Sequence, residues 1–280
     1  MWELILIYKW AILAGMAMAP ALALIGGQLA ARDQAMQTLC VGQGATLGVL
    51  LGLGILKMAE AGTSAEAIGP FFTAGIFSVL TYLATERTIR KRQASKNTVY
   101  SSVFAVLLAL GYLVCAVFPP LENHMSQVFF GDLATLSNGE AGVTVFLGGL
   151  ALLLFTKSWR LITRQSFHHA VFGREPSAME GVFPWLLVAA LSFCVQYLGF
   201  LYTMACLFLP TTIASRIRGR GIRFHFVFSS LLGALSALVG FLLSLRYSQL
   251  PTVPLIVIAM VVFGTLALVT MGHAVRPLQE

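Results

Sequence analysis

Leu39 to Leu56 reads LCVGQGATLGVLLGLGIL, eighteen residues without a charge, in which Gly42, Gly44, Gly48, Gly52 and Gly54 are set among Leu, Val and Ile. A helix needs about 20 apolar residues to cross the hydrocarbon core of a bilayer. An uncharged run of this length therefore predicts a membrane span. Gly44, Gly48 and Gly52 recur every fourth residue and share one helix face. Such a face lets a neighbouring helix pack closely. The same face could border a pathway, and the two readings are compatible.

The rest of the chain supports a lipid-solvated protein. It has 280 residues, 58% hydrophobic and 10% charged, with mean hydropathy +0.85. Soluble domains carry about 25% charged residues, so this chain could not cover a water-exposed surface. Disordered, collagenous, coiled-coil and secreted disulfide classes are excluded by the same figures. Cys40, Cys115, Cys194 and Cys206 are widely spaced in apolar stretches and form no C-x-x-C pair. They read as small packing residues. The N-terminus has no cleavable signal-peptide pattern, since Glu3 precedes Lys9 and the apolar run continues beyond Ile25.

Outward from Leu39–Leu56, the same ruler predicts further spans. They are Trp10–Gln28 before it and Ile68–Thr85, Tyr100–Phe118 and Ala141–Phe155 after it, then Phe226–Leu245 and Pro254–Met271 near the end. Val182–Ile213 is too long for one span and too short for two full ones; it fits two shorter segments turning near Tyr197–Gly199. The expectation is an all-α polytopic membrane bundle of about eight or nine transmembrane segments, forming a single domain over 1–280.

The basic residues orient it. With the N-terminus outside, fifteen of the eighteen Lys and Arg fall on inside segments and only Lys9, Lys57 and Arg246 outside. That asymmetry follows the positive-inside rule and places the C-terminus inside. Orientation thus accounts for the net charge of +7. The partner of the basic runs is membrane lipid rather than nucleic acid. The segment 119–140 reads as an acidic outside loop with Glu122, Asp132 and Glu140.

The expected membrane interior has no Asp, Glu, Lys or Arg near the middle of any span. Ionisable groups there mark pumps, voltage sensors and proton relays. All five His lie in loops or at span ends, unsuited to haem ligation. There is no H-E-x-x-H, no G-x-S-x-G and no phosphate-binding Walker loop. The expectation is a chain that is not an enzyme and binds no cofactor.

Five stretches together resemble one family. Span one ends in Gly27-Gln-Leu-Ala-Ala-Arg32-Asp-Gln-Ala-Met36 and enters the glycine-rich helix. Phe129-Phe130-Gly131-Asp132-Leu133 is similar to a Phe-Gly-Asp-Ile-Leu segment, and Ser166-Phe167-His168-His169-Ala170 to Ser-Phe-Asp-Pro-Glu. Gly199 to Ala214, with Pro210, resembles a Gly-x-Leu-Leu…Leu-x-x-Pro-Ala-x-x-Ala run. Gln249-Leu-Pro251-Thr252-Val-Pro-Leu-Ile256-Val257 resembles Asp-x-Pro-Thr-Gly-Pro-x-Ile-Val. These order the chain like the permease subunits of ABC importers for zinc, manganese or iron.

The resemblance implies half of a homodimeric permease in a bacterial inner membrane, importing a divalent transition metal, zinc first and manganese second. It implies an ATP-binding subunit inside, which hydrolyses the ATP, and a substrate-binding protein outside. Ser166–Gly173 would be a short coupling helix on the ATPase, with Phe167 and Phe172 as apolar contacts, His168 and His169 between them, and Arg164 and Arg174 flanking. The other reading is a solvated loop near headgroups. Gly131 and Asp132 would face the binding protein, Asp132 being otherwise a turn former. Gly199 and Pro210 mark helix breaks.

The resemblance places the substrate pathway at Gln43 and Gln249, and the spacing to Gln43 adds Cys40. The family has Asp, His and Asp where this chain has Leu39, Gln43 and Gln249. Zinc and manganese favour imidazole or carboxylate donors, so the substitutions weaken a bare-metal reading. Cys40 and Gln43 stand three apart and can share a face, where a thiol could assist a soft metal; packing and an interhelical hydrogen bond are their plainer roles. The rival functions are an ion-coupled secondary transporter, an ABC permease for a metal chelate or other small solute, and a membrane scaffold.

Overall fold

Helices build the computed structural model, which describes residues 2–58, 63–92, 95–131, 133–172, 178–217, 221–247 and 249–272. Side chains are described within these segments except at 2, 58, 63–68, 92, 122–123, 158–172, 178–182 and 272. In chain order the helices are α1 (Trp2–Ile7), α2 (Lys9–Ala31), α3 (Ala35–Met58), α4 (Thr63–Arg92), α5 (Lys96–Val117), α6 (Glu122–Phe130), α7 (Asn138–Phe172), α8 (Ala178–Leu198), α9 (Phe200–Ser215), α10 (Ile222–Arg246) and α11 (Thr252–Gly272). No strand occurs among the described residues. Nine helices, α2 to α5 and α7 to α11, occupy the nine places where spans were expected. By length and composition, α2, α3, α5, α7, α10 and α11 can each cross a membrane.

The Val182–Ile213 stretch divides as its length required. It falls into α8, 21 residues and about 31 Å at 1.5 Å per residue, and α9, 16 residues and about 24 Å, so α9 is the one that is short of the roughly 30 Å core. Gly199 separates them with φ +85°.

Two expectations need correcting. The segment 119–140 is not simply a loop. Pro119 and Pro120 end α5, and a 3-10 turn (Pro119–Leu121), helix α6 and a second 3-10 turn (Leu133–Thr135) follow. Leu121, Val128 and Leu133 are buried, and burying these apolar side chains organises the segment. Glu140 is also committed. Its carboxylate accepts the Ser137 backbone N–H at 2.9 Å, and the Ser137 hydroxyl accepts the Glu140 N–H at 3.3 Å. This reciprocal capping box starts α7, which runs 35 residues, about 52 Å. The coupling segment is therefore the continuation of one long helix through Phe172 rather than a separate short one. A helix of that length outruns the bilayer core.

The chain packs as two compact units, each assembled from separate segments. Unit one contains 1–32, 132–161 and 202–280. Small residues bring its helices together. A Cβ on Gly26 of α2 would stand 2.9 Å from the Cα of Leu207 in α9, and one on Gly240 of α10 would stand 2.6 Å from the backbone N of Ile256 in α11. Gly233 of α10 meets the Ala19 backbone of α2 at 3.3 Å, and Gly148 of α7 meets that of Ala17 at 3.0 Å, measured the same way. The Tyr202 hydroxyl donates to the Gly15 carbonyl at 2.7 Å, so this fully buried phenol is satisfied.

Unit two contains 33–131 and 162–201. Helix α3 is its centre, packed on α4, α5 and α8, and residues 40–50 are all buried. Leucines and valines on one face of α5, such as Val106, Leu113 and Val117, stay exposed. In a bilayer these side chains contact acyl chains, which solvate them as well as a protein core would.

Candidate functional site

The glycine stripe of α3 is used for helix packing. A Cβ on Gly48 would stand 2.7 Å from the Cα of Ala74, one on Gly52 3.0 Å from the Cα of Pro70, and one on Gly44 3.2 Å from the Phe77 carbonyl oxygen. All three contacts fall on α4, so the stripe draws the two backbones together.

Cys40 sits one turn along from this contact, and Gln43 immediately precedes Gly44. Cys40 stands four residues before Gly44 and continues its stripe. Both side chains are buried, Gln43 to 1% exposure. The Gln43 Oε1 has no hydrogen-bond partner among the described residues. A buried amide oxygen without a donor costs about 1–3 kcal/mol. Helix propensity gives no reason to keep Gln there. The group therefore suits a role in which a passing donor completes its hydrogen bonding. Gln249 lies in unit one, exposed in the linker between α10 and α11.

Beside Gln43, hydroxyls join three helices. Ser78 of α4 lies 3.5 Å from the Val41 carbonyl of α3 and 3.2 Å from the hydroxyl of Ser192 in α8. Ser192 also approaches the Val188 carbonyl at 2.8 Å. These residues are fully buried. Single serines within apolar runs carry no spacing signal, which is why sequence reading passes over them.

Glu86 was missed too. It follows Thr85 at the end of the third expected span. Its Oε1 accepts from the Tyr100 hydroxyl at 2.9 Å and the Gln37 amide at 3.3 Å, and Oε2 lies 4.0 Å from the Arg90 guanidinium. One carboxylate thereby ties α3, α4 and α5 together at one end of unit two. Its basic neighbours Arg87, Arg90 and Lys91 disguise it as part of a charged loop.

Gly131 and Gly199 come together. Gly131 caps α6 with φ +81°, and Gly199 separates α8 from α9 with φ +85°. Gly199 is thus the helix break expected of it. Pro210 is not: α9 continues through it to Ser215. Proline withholds one amide at that turn, and the Thr211 hydroxyl bonds the Phe208 carbonyl at 3.0 Å and the Leu207 carbonyl at 3.2 Å. Asp132 and Arg174 lie outside the described residues, as do the side chains of Arg164, Ser166, Phe167, His168, His169 and Phe172.

No group of three or more His, Cys, Asp or Glu placed to hold a metal occurs among the described residues. What the described core of unit two offers is hydroxyls, the thiols of Cys40, Cys115 and Cys194, and the Gln37 and Gln43 amides.

Comparison with known proteins gives a consistent result. The profile of the ABC 3 transport family matches residues 5–271. The chelated iron transport system membrane protein YfeD of Yersinia pestis is 25% identical over 212 residues, which cover 75% of this chain and 69% of that one. The zinc transport system membrane protein TroC of Treponema pallidum is 27% identical over 165 residues, 56% of this chain and 55% of that one. Among solved structures, PsaBC from Streptococcus pneumoniae in complex with Fab superimposes with TM-score 0.73 at 16% identity, over 93% of this chain and 90% of that one. An inward-facing metal-chelate type ABC transporter superimposes with TM-score 0.61 at 16% identity, over 95% and 85%.

Proposed function

The chain belongs to the ABC 3 transport family and is a multi-pass membrane protein, and on that premise we propose that it is the permease subunit of an ATP-driven importer for a divalent transition metal. Zinc is the first cargo and manganese the second. The observation that carries the reading is the family match along residues 5–271, joined by relatives named for chelated-iron and zinc transport. Two copies pair, each docks an ATP-binding subunit through the end of α7, and an extracytoplasmic binding protein delivers the cargo. The chain sits in a bacterial inner membrane with its N-terminus outside and C-terminus inside. It binds no cofactor itself; ATP is hydrolysed on the partner subunit. Nucleotide and loaded binding protein bias the same equilibrium between inward-open and outward-open states. Gln43 and Cys40 lie on the pathway and make passing contacts, since a site that binds tightly does not release.

A second reading is favoured by one observation. Gln43 offers a buried amide oxygen where the family has an imidazole. An amide oxygen accepts hydrogen bonds better than it holds zinc. That chemistry suits a cargo presenting donors, such as a metal chelate.

Whole-cell metal content, measured by mass spectrometry in a deletion strain and its complemented partner under mild chelation, tests both readings. A selective shortage of zinc or manganese, restored by complementation, is the expected result. Unchanged zinc, manganese and iron would overturn the metal assignment. A shortage of iron alone, relieved by added chelate and not by the free ion, would select the second reading.

A further inference from the structure

Helices α2, α7 and α10 of unit one leave a groove of about 450 Å³ between them. That volume lies within the roughly 300–1,000 Å³ of small-molecule sites. Its walls are Leu24 from α2, Leu152 and Phe155 from α7, and Phe226, Val227 and Leu231 from α10. Helix α7 meets α2 closely at Gly148 and Ala17, and a turn or two further on the Phe155 and Phe226 rings join α7 to α10, with centroids 5.6 Å apart. The groove lies beside that ring contact.

The groove is polar at one end. Arg223 lines it there from the first turn of α10, Thr156 adds a hydroxyl, and Ser230 adds another about 10 Å further along α10. Arg223, Phe226, Val227, Ser230 and Leu231 form one stripe at helical spacing, running about 12 Å along α10 from the guanidinium. Arg223 is exposed and makes no hydrogen bond or ion pair among the described residues. Lys157 follows the lining Thr156, and Arg216, Arg218 and Arg220 precede α10 in sequence. Val227 and Leu231 are 59% and 55% exposed, so the groove opens outward along helices that cross the membrane.

We propose that this groove binds the acyl chain of an acidic phospholipid, with the headgroup phosphate on Arg223. The occupant follows from two features. A groove open to the bilayer fills with hydrocarbon, and an unpaired guanidinium at its mouth selects an anionic headgroup. Arg pairs with phosphate through two parallel hydrogen bonds, a geometry that a zwitterionic lipid shields with its own cation. The bound lipid bridges α7 to α10 beside the Phe155–Phe226 ring pair. Lipid composition would thereby set how firmly α7 is held. The inference needs only the membrane setting and stands whatever the cargo.

Native mass spectrometry of the delipidated full chain tests it, with dioleoylphosphatidylglycerol and dioleoylphosphatidylcholine as probes. The expected result is one phosphatidylglycerol retained per chain, preferred about fivefold over phosphatidylcholine, the increment of one basic residue at a membrane surface. Arg223→Gln should remove the preference and Arg223→Lys should keep most of it. Leu231→Trp, which fills the groove, should reduce retention of both lipids. Equal retention of the two lipids, or a preference that survives Arg223→Gln, overturns the proposal. Glycerol phosphate binding as well as the lipid would make Arg223 a plain anion site and overturn it too. Leu231→Cys gives a last check, because the four native cysteines are buried. A disulfide-linked dimer from that variant would place a second copy in the groove instead of lipid.

Discussion

Gly131 and Gly199 meet backbone to backbone: a Cβ on Gly131 would stand 3.2 Å from the Gly199 Cα, and one on Gly199 would stand 3.1 Å from the Phe130 carbonyl carbon. Both residues have φ above +80°, a region that L side chains rarely adopt. Phe129 and Phe200, each adjoining one of the pair in the chain (Phe129 two before Gly131, Phe200 one after Gly199), bring their rings to 5.4 Å. The end of α6 and the break after α8 are therefore one structural joint.

Gly199→Ala is expected to be destabilising on two counts, strain and overlap. Strain alone costs about 1–3 kcal/mol. A lowered Tm in detergent, and a further drop for Gly199→Val, would be seen by thermal unfolding. An unchanged Tm for both would mean the joint is loose.

The glycine stripe predicts a contrast between positions of identical residue type. Gly48→Val forces α3 off the Ala74 backbone of α4 and should abolish folded protein in the membrane fraction. Gly142→Ala has nothing within 4 Å of its added Cβ. It should leave yield and Tm unchanged, gaining if anything the modest helix preference of Ala over Gly. Equal tolerance at the two sites would contradict the α3–α4 packing.

Gln43 should separate stability from transport. Gln43→Leu removes a buried orphan oxygen, so the Tm should hold or rise by the equivalent of about 1–3 kcal/mol. Metal uptake should fall, as it should in Gln43→Ala. Normal uptake in both variants would make Gln43 a packing residue.

Glu86→Ala leaves the Tyr100 hydroxyl and the Gln37 amide without their shared acceptor. A loss of about 1–3 kcal/mol is expected, because a hydrogen bond to a charged group contributes more than a neutral one. Tyr100→Phe in the Glu86→Ala background should add little, as partners in one network are non-additive. Additive losses by chemical denaturation would show that the two residues act independently.

Phe167→Asp tests the coupling segment. The change falls beyond the apolar part of α7, so membrane insertion should be normal while co-purification with the ATP-binding subunit and cargo-stimulated ATP hydrolysis fall. Unimpaired docking would remove the coupling role.

The sequence was most legible where a property adds up residue by residue. Hydrophobic length placed nine helices, because crossing a bilayer depends on local composition. The division of Val182–Ile213 near Gly199 was readable for the same reason. Two elements were misread through local rules applied alone. Proline suggested a break at Pro210, yet α9 continues, held by packing and by the Thr211 hydroxyl. The 119–140 segment looked like a loop because its apolar residues are scattered, although Ser137 and Glu140 stood at capping-box spacing in plain view. Glu86 was hidden by the basic residues after it, and the Ser78–Ser192 link by lying 114 residues apart in the chain.

By itself the sequence determined that this chain lives in a membrane, where its apolar helices fall and in what order, and which family's motifs it shares. Hydropathy and helix length act locally, so they can be read in a line. Only the tertiary structure decided that the α3 glycines press on α4, that Gly131 meets Gly199, that Glu86 gathers Gln37 and Tyr100, and that a groove opens beside Arg223. Those outcomes depend on how each helix is rotated about its axis and where it crosses its neighbour. A lipid-solvated helix, apolar on every side, does not record that rotation in its hydrophobic pattern.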